Sequence, residues 1–393
     1  MKKRLFYFWF TAGLGAILLA GCQTSTGQSS KEKILSSEAK TAVAATTLKE
    51  AYRGIFHVGV AVNQNQFSGR NTADAALIVK EFDAISPENV LKWESVHPRS
   101  GQFTFNQADQ YVDFGTQNGM FVVGHNLVWH NQTPAWVFQN DQGGVIDRDT
   151  LLQRMHEHIA TVVGRYRGRI GGWDVVNEAI ADGGGLRHSR WYDIIGPEYL
   201  VNAYKFAHEA DPAAELYYND YDLEKPAKRA TAVQLVLYLQ GQGVHLTGIG
   251  LQSHYKLDAN TPSLAAIDET IKTFAALGLK VMITELDIDA LPWNPGADFN
   301  QMQTDAGPDP YRAGMTPEAQ QALAKRYADV FAIYLKYRAS ISRVTFWGLN
   351  DSQSWLNGFP YRGRTNYPLL FDRQNEPKAA FAAVLRAPSE PGK

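Results

Sequence analysis

Two glutamates in this sequence of 393 residues each come directly after an apolar run. Glu178 ends the stretch "WDVVNE", next to Asn177, and Glu285 follows residues 281–284 in "KVMITELDI". If the two carboxyl groups face one cleft, one can protonate a leaving oxygen while the other attacks an anomeric carbon or activates water. The pair therefore predicts hydrolysis of a glycosidic bond.

Strand-like and helical segments alternate along the chain around these glutamates. Amphipathic helices are predicted over 151–166, 265–278 and 317–337, the last with Thr316 as its N-cap and Pro317 in its first turn. The alternation predicts an α/β fold, a (β/α)8 TIM barrel preceded by a signal peptide and a short flexible tether; an open, doubly wound sheet is the alternative. The eight strand-like runs cover 57–62, 81–86, 120–129, 170–177, 214–220, 246–254, 280–288 and 343–351.

The predicted barrel puts Glu178 and Glu285 on one face. Barrel strands open to solvent at their C-terminal ends, and the active sites of this fold lie there. The glutamates follow strands four and seven, so they face each other across the opening. Other strand ends carry hydrogen-bonding groups for sugar hydroxyls and indoles for the sugar ring. These residues are Glu88, Asn89, Lys92, Trp93, His125, Trp129, His130, Gln132, Trp136, Asn219, Tyr221, Gln252, His254, Trp347 and Trp355.

Six motifs in one order carry a resemblance to a known family. The chain over roughly residues 50 to 386 resembles glycoside hydrolase family 10, the retaining endo-β-1,4-xylanases. Each motif alone is moderate evidence, whereas six in the family's order are specific. The motifs are "WHNQTPAW", "WDVVNE", "LYYNDY", "GIGLQSHY", "ITELD" and "FWGLNDSQSWL".

The resemblance implies roles for the residues around the reacting bond. Glu178 would be the general acid/base and Glu285 the nucleophile, with their carboxyl groups about 5–5.5 Å apart and the anomeric configuration retained. Asn177 would bind the 2-hydroxyl of the sugar being cleaved. His254 would hydrogen-bond Glu285, with Asp287 behind it. While Glu285 is ionised, its field is expected to raise the pKa of Glu178.

The resemblance also implies a row of sugar-binding residues for xylan or xylo-oligosaccharides. It implies no cofactor and no metal for the chemistry. Trp355 would cap the reacting sugar's site and leave no room for a hydroxymethyl group, and Gln252 would lie close to Glu285. The other members are Glu88, Asn89 and Lys92 for the glycone, His125, Trp129, Gln132 and Trp347 around the reacting sugar, and Asn219 and Tyr221 toward the leaving group.

One segment departs from the family pattern. The stretch 291–315, after strand seven, is long for the family and lies on the catalytic face. Its aromatic residues Trp293 and Tyr311 are candidate contacts to the leaving group or to side chains of a decorated xylan. Packing of the loop on itself is the alternative reading of both residues.

Three other functions fit parts of the same pattern. A metallohydrolase barrel would use the histidines and glutamates as ligands, but the first strand-like run has only His57 and no His-x-His pair. A β-1,4-glucanase or mannanase on the same barrel would share the Asn-Glu pair and the second glutamate, whereas Trp355 and Gln132 favour xylan. A non-catalytic lipoprotein that binds polysaccharide would have no need to keep both Glu178 and Glu285.

The N-terminus has the pattern of an exported lipoprotein. A basic start, a short apolar run and "LAGC", which ends at Cys22, predict a signal peptide with a lipidated cysteine. An ordinary signal peptide and a transmembrane anchor are the alternatives, and the apolar run is short for a span. We expect an outer-membrane or cell-surface protein, a monomer that meets the membrane only through its lipid.

Composition excludes some classes of partner, and the patterns along the chain predict four segments. The net charge is −2, so no excess of either sign points to nucleic acid, and the one cysteine excludes an intramolecular disulfide. The chain is predicted to divide into a lipoprotein signal peptide (1–21), a flexible tether (22–48), the catalytic domain (49–387) and a disordered tail (388–393).

Overall fold

Parallel β-strands form the centre of the fold in the computed structural model, which describes residues 45–294, 301–304 and 307–389. Strand β1 pairs with both β2 and β9, and β6 pairs with β8, so eight strands close into a ring. This closure confirms the TIM barrel and is incompatible with an open sheet. The strands are β1 (His57–Val62), β2 (Ala84–Pro87), β3 (Phe121–Val128), β4 (Gly172–Asn177), β5 (Glu215–Asp220), β6 (Gly248–Leu251), β7 (His254–Lys256), β8 (Lys280–Asp289) and β9 (Ile341–Phe346).

The short strand β7 lies outside the ring of eight. It pairs only with the end of β8, His254 opposite Asp287. The sequence predicted one run over 246–254, but the chain breaks at Ser253, whose φ of 63° is left-handed. Glu285 therefore lies on the seventh barrel strand, as predicted, which is β8 in structural order. The break turns His254 toward the residues that follow Glu285.

Helices surround the barrel, and six of the twelve described α-helices have a side-chain N-cap hydrogen bond. The predicted N-cap of the helix that begins at Pro317 is confirmed, because Thr316 Oγ1 accepts a hydrogen bond from the Ala319 N–H at 3.2 Å. In the described residues the helices are α1 (Leu48–Ala51), α2 (Gln64–Phe67), α3 (Thr72–Glu81), α4 (Trp93–Val96), α5 (Asn106–Gln117), α6 (Arg148–Arg165), α7 (Arg190–Ile195), α8 (Glu198–Ala210), α9 (Pro226–Gly241), α10 (Leu264–Ala276), α11 (Pro317–Lys336) and α12 (Ala379–Arg386).

Two predicted strand boundaries are wrong for local reasons. The run 81–86 starts too early, because Glu81 is the last residue of α3 and its carboxylate accepts a hydrogen bond from the Leu48 N–H at 3.1 Å. The run 343–351 extends too far, because β9 ends at Phe346 and the chain then turns into loops. Apolar residues continue past the strand in that second case, so hydrophobicity alone could not locate its end.

The ends of the predicted domain also shift slightly. Leu48 was assigned to the tether but is fully buried at the start of α1. Residues 388 and 389, assigned to the tail, belong to a short 3-10 helix, Ala387–Ser389. The predicted signal peptide, Cys22 and most of the tether lie outside the described residues. Within the described ranges, none of the helices has both the length and the apolar character needed to cross a membrane.

A glycine inside the barrel makes room for a residue of the site. A Cβ added to Gly250 of β6 would lie 2.3 Å from Asn219 Oδ1 and 2.8 Å from Thr284 Cγ2. Since real Cβ atoms do not approach so closely, a side chain here would displace Asn219 from the neighbouring strand. Gly250 therefore leaves room for the hydrogen bonds that the Asn219 side chain makes to Asn177 and Glu285.

Candidate active site

Glu178 and Glu285 line one cavity of about 440 Å³ at the C-terminal end of the barrel. Glu178 follows β4 directly, and Glu285 lies in the second half of β8. This is the juxtaposition that the sequence predicted for the two carboxylates. The other residues that line the cavity are Lys92, His125, Trp129, Asn131, Gln132, Asn177, Tyr221, Gln252, His254, Trp347, Trp355 and Phe359.

Glu178 is aimed into the cavity by its backbone conformation. Its φ of 57° is left-handed, so its side chain no longer follows the alternation of side chains between the two faces of β4. The backbone is held there by the Glu178 N–H, which donates to the Asn219 carbonyl at 2.9 Å. Trp129 Nε1 donates to one carboxyl oxygen at 2.8 Å, and Gln252 Nε2 donates to the other at 2.9 Å. The carboxyl group is therefore fixed at both oxygens.

The surroundings of Glu178 favour its protonated form. Burial raises its pKa most, the charge of Asp220 raises it further, and the charge of Glu285 makes a smaller contribution in the same direction. The hydrogen bonds from Gln252 and Trp129 oppose this rise. The direction agrees with the expectation from the sequence, but the leading cause is burial rather than the field of Glu285.

Glu285 has the opposite preference. Burial alone would raise its pKa, but hydrogen bonds from His254 and Asn219, together with nearby imidazole charge, outweigh burial and lower it. His254 Nε2 lies 3.3 Å from one carboxyl oxygen, and Asn219 Nδ2 donates to the other at 2.9 Å. The ionised form is thus favoured at Glu285 and the protonated form at Glu178, on the same cavity.

His254 connects Glu285 to a second buried carboxylate. Its Nδ1 lies 3.0 Å from Asp287 Oδ1, and Asp287 Oδ2 accepts a hydrogen bond from Trp355 Nε1 at 2.7 Å. Burial alone would lower the pKa of His254, but Asp287 and Glu285 raise it to about 10. The imidazolium carries positive charge between two carboxylates. The resemblance predicted Asp287 behind His254, and the contact between the two side chains confirms that arrangement.

Three amides link the two glutamates beneath the cavity. Asn219 Nδ2 donates to both Asn177 Oδ1 and Glu285 at 2.9 Å, and Gln252 Nε2 lies 3.5 Å from the same Asn177 oxygen. Within the described chain, the side-chain hydrogen bonds of Asn177 use only Oδ1. Its Nδ2 is therefore available to a hydroxyl of the bound sugar.

One of these amides differs from its sequence prediction and another agrees with it. Asn219 was expected toward the leaving group, but its side chain is fully buried and serves Asn177, Thr284 and Glu285 instead. Gln252 was expected close to Glu285, and this is confirmed, because its carbonyl accepts the Glu285 N–H at 3.0 Å. Its side chain holds Glu178. Both residues position the glutamates.

Aromatic side chains enclose the space above Glu285. Trp347 lies edge-on to His125, with 5.6 Å between ring centroids, and Trp355 lies 5.0 Å from the ring of His254. Phe359, which the sequence did not single out, stacks on Trp355 at 5.6 Å. The lining residues Trp347, Trp355 and Phe359 thus give one side of the cavity flat apolar surfaces that suit a sugar ring.

The predicted glycone residues form a group at one end of the cavity. Lys92 donates to Asn89 Oδ1 at 3.0 Å, and Gln132 donates to Asn89 at 3.3 Å and to Glu94 at 2.9 Å. Lys92 and Gln132 line the cavity, whereas Glu88 and Asn89 do not. Glu88 and Asn89 therefore stay predicted contacts for a sugar that extends beyond the cavity itself.

Tyr221 and His254 connect the catalytic cavity to a second one of about 550 Å³. This second cavity extends toward Trp293, one of the two loop aromatics that the sequence named. Tyr311 does not line it, but lines a further cavity that shares Lys256 and Trp293 with it, and also packs against the core. Both aromatics therefore stay candidate contacts at the leaving-group end.

An ion pair under Glu178 escaped the sequence prediction. Asp220 and Lys228 are both fully buried, with 2.9 Å between Nζ and Oδ1. Asp220 is fixed further by the Tyr218 hydroxyl, which donates to it, and its charge raises the pKa of Glu178. In the sequence, the only sign of this pair is Asp220 within the motif "LYYNDY", and a single aspartate there would be read as a surface residue.

Breaking this ion pair is expected to destabilise the protein. Lys228→Met leaves the Asp220 carboxylate buried without its partner, which costs about 3–5 kcal/mol. The free energy of unfolding from urea denaturation measures the loss. Lys225→Met, which breaks the exposed pair with Asp222, is the matched control and should cost less than about 1 kcal/mol. Equal losses in the two variants would contradict the assignment. The double change Asp220→Asn/Lys228→Met should recover most of the stability.

Two histidines of the site, His125 and His254, are held by contacts to carboxylates. His125 Nδ1 lies 2.9 Å from Asp174, and His254 lies between Asp287 and Glu285. Within the described ranges, no group of three or more histidine, cysteine, aspartate or glutamate side chains is arranged to hold a metal ion.

Fold and site together define a class of protein. The parallel barrel carries two glutamates at its C-terminal end, their pKa values are shifted in opposite directions, and indole rings line the same cavity. These features define a barrel glycoside hydrolase of the two-carboxylate type. The chain belongs to glycosyl hydrolase family 10, whose family model matches residues 47–387. The membership confirms the resemblance seen in the motifs.

Characterised relatives share most of the chain. It is 43% identical over 345 residues to endo-1,4-beta-xylanase A of Xylanibacter ruminicola, covering 86% of this chain and 93% of that protein. It is 42% identical to an endo-1,4-beta-xylanase of Geobacillus stearothermophilus, covering 86% of this chain and 98% of the relative. A solved endoxylanase from a sugarcane soil metagenome superposes with a TM-score of 0.83 at 44% identity, covering 88% of this chain and 100% of that one.

Proposed function

We propose that this protein is an endo-1,4-β-xylanase that cleaves xylan and xylo-oligosaccharides with retention of configuration. The observation that carries the proposal is the pair Glu178 and Glu285 on one cavity, with pKa values shifted in opposite directions. A retaining glycosidase needs this division between a protonated acid and an ionised nucleophile.

The first chemical step forms a covalent glycosyl-enzyme. Glu285 attacks the anomeric carbon while Glu178 gives its proton to the leaving oxygen, so the glycosidic bond breaks as the bond to Glu285 forms. His254 keeps Glu285 ionised and oriented before attack. Asn177 Nδ2 is placed to donate to the 2-hydroxyl, a hydrogen bond that strengthens as positive charge develops on the sugar.

The second step hydrolyses that intermediate. Once Glu285 is esterified its negative charge is gone, and one of the contributions that raise the pKa of Glu178 goes with it. Glu178, now ionised, removes a proton from water as the water attacks the anomeric carbon. The two attacks come from opposite faces of the sugar, and each inverts the anomeric carbon. The product therefore keeps the β configuration.

Preference for a pentose rests on Trp355. Its indole lines the cavity beside His254 and is tied to Asp287, while Phe359 stacks behind it. A ring held in this position restricts the space where a hexose would carry its hydroxymethyl group. This supports xylan over cellulose and mannan as the substrate.

Sugar release from three polymers tests the proposal. We expect reducing ends to appear from xylan at a rate far above that from carboxymethylcellulose or mannan. Proton NMR of a xylo-oligosaccharide digest should show the β-anomer first, before mutarotation. Equal rates on the three polymers would contradict the substrate, and an α-anomer as the first product would contradict the mechanism.

Removal of the Asn219 amide is expected to slow turnover and move the pH profile. Asn219→Ala removes a hydrogen bond to a charged group, worth about 1.5–3 kcal/mol, so kcat should fall roughly 10–100-fold with little change in KM. Loss of this donor raises the pKa of Glu285, so the acid limb of the kcat/KM profile should move to higher pH.

The matched control for Asn219 is an exposed asparagine. Asn118 donates only to a backbone carbonyl at the end of α5, so Asn118→Ala should leave both kcat and the acid limb unchanged. A fall in kcat for Asn219→Ala without movement of the acid limb would indicate a purely structural role for Asn219.

We further propose that the protein is an exported, monomeric lipoprotein anchored by Cys22 at the outer membrane or cell surface. The basic start, the short apolar run and "LAGC" support this. Incorporation of radiolabelled palmitate in the producing bacterium should occur with the natural chain and disappear with Cys22→Ser. Secretion of unlabelled natural protein into the medium would contradict the anchor, and light scattering of the purified enzyme measures its oligomeric state.

A further inference from the structure

A cavity of about 490 Å³ opens at the N-terminal end of the barrel, opposite the catalytic glutamates. Its lining comes from the beginnings of strands: His57 starts β1, Phe121 starts β3, Glu215 starts β5 and Lys280 starts β8, while Arg343 is the third residue of β9. The reaction proposed above uses none of these side chains. Their arrangement therefore needs a separate explanation.

Arg343 is a buried charge with no carboxylate or hydrogen-bonding partner among the described residues. The residue is 2% exposed, and its Nε and Nη2 atoms make no hydrogen bond to any described residue. Within the described ranges, no carboxylate oxygen lies within 4.0 Å of its guanidinium. The rings of Phe121 and Tyr217 lie 5.6 and 5.5 Å away on cation–π contacts. Aromatic faces compensate part of the charge, but they cannot accept hydrogen bonds as oxygen does.

The remaining charges of the cavity do not neutralise Arg343. Asp83 is engaged by His57 at 2.9 Å, and Glu215 by Lys280 at 2.6 Å. Arg53, exposed at the rim, is a second cation with no carboxylate partner in the described part of the chain. Both carboxylates of the lining are thus engaged by other side chains, while Arg343 and Arg53 have no carboxylate within 4.0 Å among the described residues.

We propose that this cavity binds a small oxyanion, of the phosphate or sulfate class, on Arg343 and Arg53. The guanidinium group presents parallel N–H donors that match two oxygens of such an anion. The mouth is open, since Arg53, His57 and Lys280 are exposed, while the depth of Arg343 admits only a compact ligand. An anion held there satisfies the buried nitrogens and stabilises the folded barrel, because it binds the folded chain and not the unfolded one.

Thermal unfolding at constant ionic strength tests the site. Sodium chloride is replaced stepwise by sodium phosphate, and in parallel series by sulfate or glucuronate, which separates inorganic oxyanions from a sugar acid. The midpoint of the natural protein should rise saturably with phosphate or sulfate, and a rise with glucuronate alone would overturn the proposal. Titration calorimetry of the stabilising anion should give an affinity that Arg343→Gln weakens roughly 10–100-fold, the effect of losing a charge-assisted hydrogen-bonding group.

Two further variants keep the test decisive. If Arg343→Gln fails to fold, Arg53→Gln at the exposed rim carries the test and should weaken the same affinity. Arg70→Gln, an exposed arginine elsewhere on the surface, should leave it unchanged. A midpoint that responds equally to chloride and to every oxyanion overturns the proposal, as does full anion binding by Arg343→Gln. Xylan hydrolysis is measured in parallel and reports on the opposite end of the barrel.

Discussion

Glu285→Ala is expected to lower kcat on xylan by about 10⁴-fold or more, the scale seen when a covalent nucleophile is removed. Glu285 is the carboxylate that His254 and Asn219 hold ionised, and no other described carboxylate lines the cavity except Glu178. Glu285→Gln should lose as much, because an amide cannot form the glycosyl ester. Glu376→Gln, at an exposed site away from the cavity, is the control and should retain full activity.

Azide distinguishes loss of the nucleophile from loss of the fold. In Glu285→Ala the missing carboxylate leaves space on the face from which Glu285 attacks. Azide bound there should restore partial turnover of an aryl xyloside and yield the α-glycosyl azide, because one inversion replaces two. Formation of the β-azide, or residual activity within tenfold of the natural enzyme, would show that Glu285 is not the nucleophile.

Glu178→Ala is expected to lower kcat/KM on xylan by about 10²–10⁴-fold, the usual contribution of a general acid. The xylose leaving group is a poor one and needs the proton of Glu178. An aryl xyloside with an acidic phenol leaves unaided, so its kcat/KM should change little. Hydrolysis of the intermediate still needs the base, and the covalent glycosyl-enzyme should therefore accumulate as a burst of phenol.

The two variants predict opposite products with azide. In Glu178→Ala the natural nucleophile remains, and azide attacks the intermediate from the face that Glu178 occupied. The product should be the β-glycosyl azide, and the basic limb of the kcat/KM profile on the aryl substrate should disappear because the titrating acid is gone. Equal losses on xylan and on the aryl xyloside would argue against the role of Glu178 as acid.

The sequence located the reactive pair because barrel geometry does not depend on side-chain detail. A strand buried along its length must expose its C-terminal end, so a carboxylate directly after an apolar run points to the mouth. That argument placed both Glu178 and Glu285 on one cavity. The helix cap at Thr316 was predictable for a similar reason, since a cap depends only on neighbours in sequence.

The functions of the amides were not predictable in the same way. Asn219 and Gln252 were both expected to serve the substrate or Glu285, yet Asn219 lies beneath the cavity and the Gln252 side chain holds Glu178. Glu178 and Ser253 have left-handed backbones, so the period of two fails next to Asn177 and Gln252. Strand patterning assumes that period and cannot show where it breaks.

The ion pair between Asp220 and Lys228 was not predicted because the two residues belong to different elements of the sequence. Asp220 ends β5, and Lys228 lies in the first turn of α9 after a loop. A lysine at a helix start is usually exposed, so nothing in the sequence marks it as buried. Only the three-dimensional structure shows that the loop brings α9, and with it Lys228, next to the end of β5.

The chain of contacts from Trp355 through Asp287 and His254 to Glu285 joins a wall of the substrate cavity to the ionisation of the nucleophile. A sugar bulky enough to push the indole aside withdraws a donor from Asp287 and disturbs the imidazolium that keeps Glu285 charged. Rejection of hexoses is then expected as a slower rate of bond breaking in the bound complex, in addition to weaker docking. Selectivity and reactivity would share one set of hydrogen bonds, so widening this cavity by mutation should make the catalyst slower even on its own sugar.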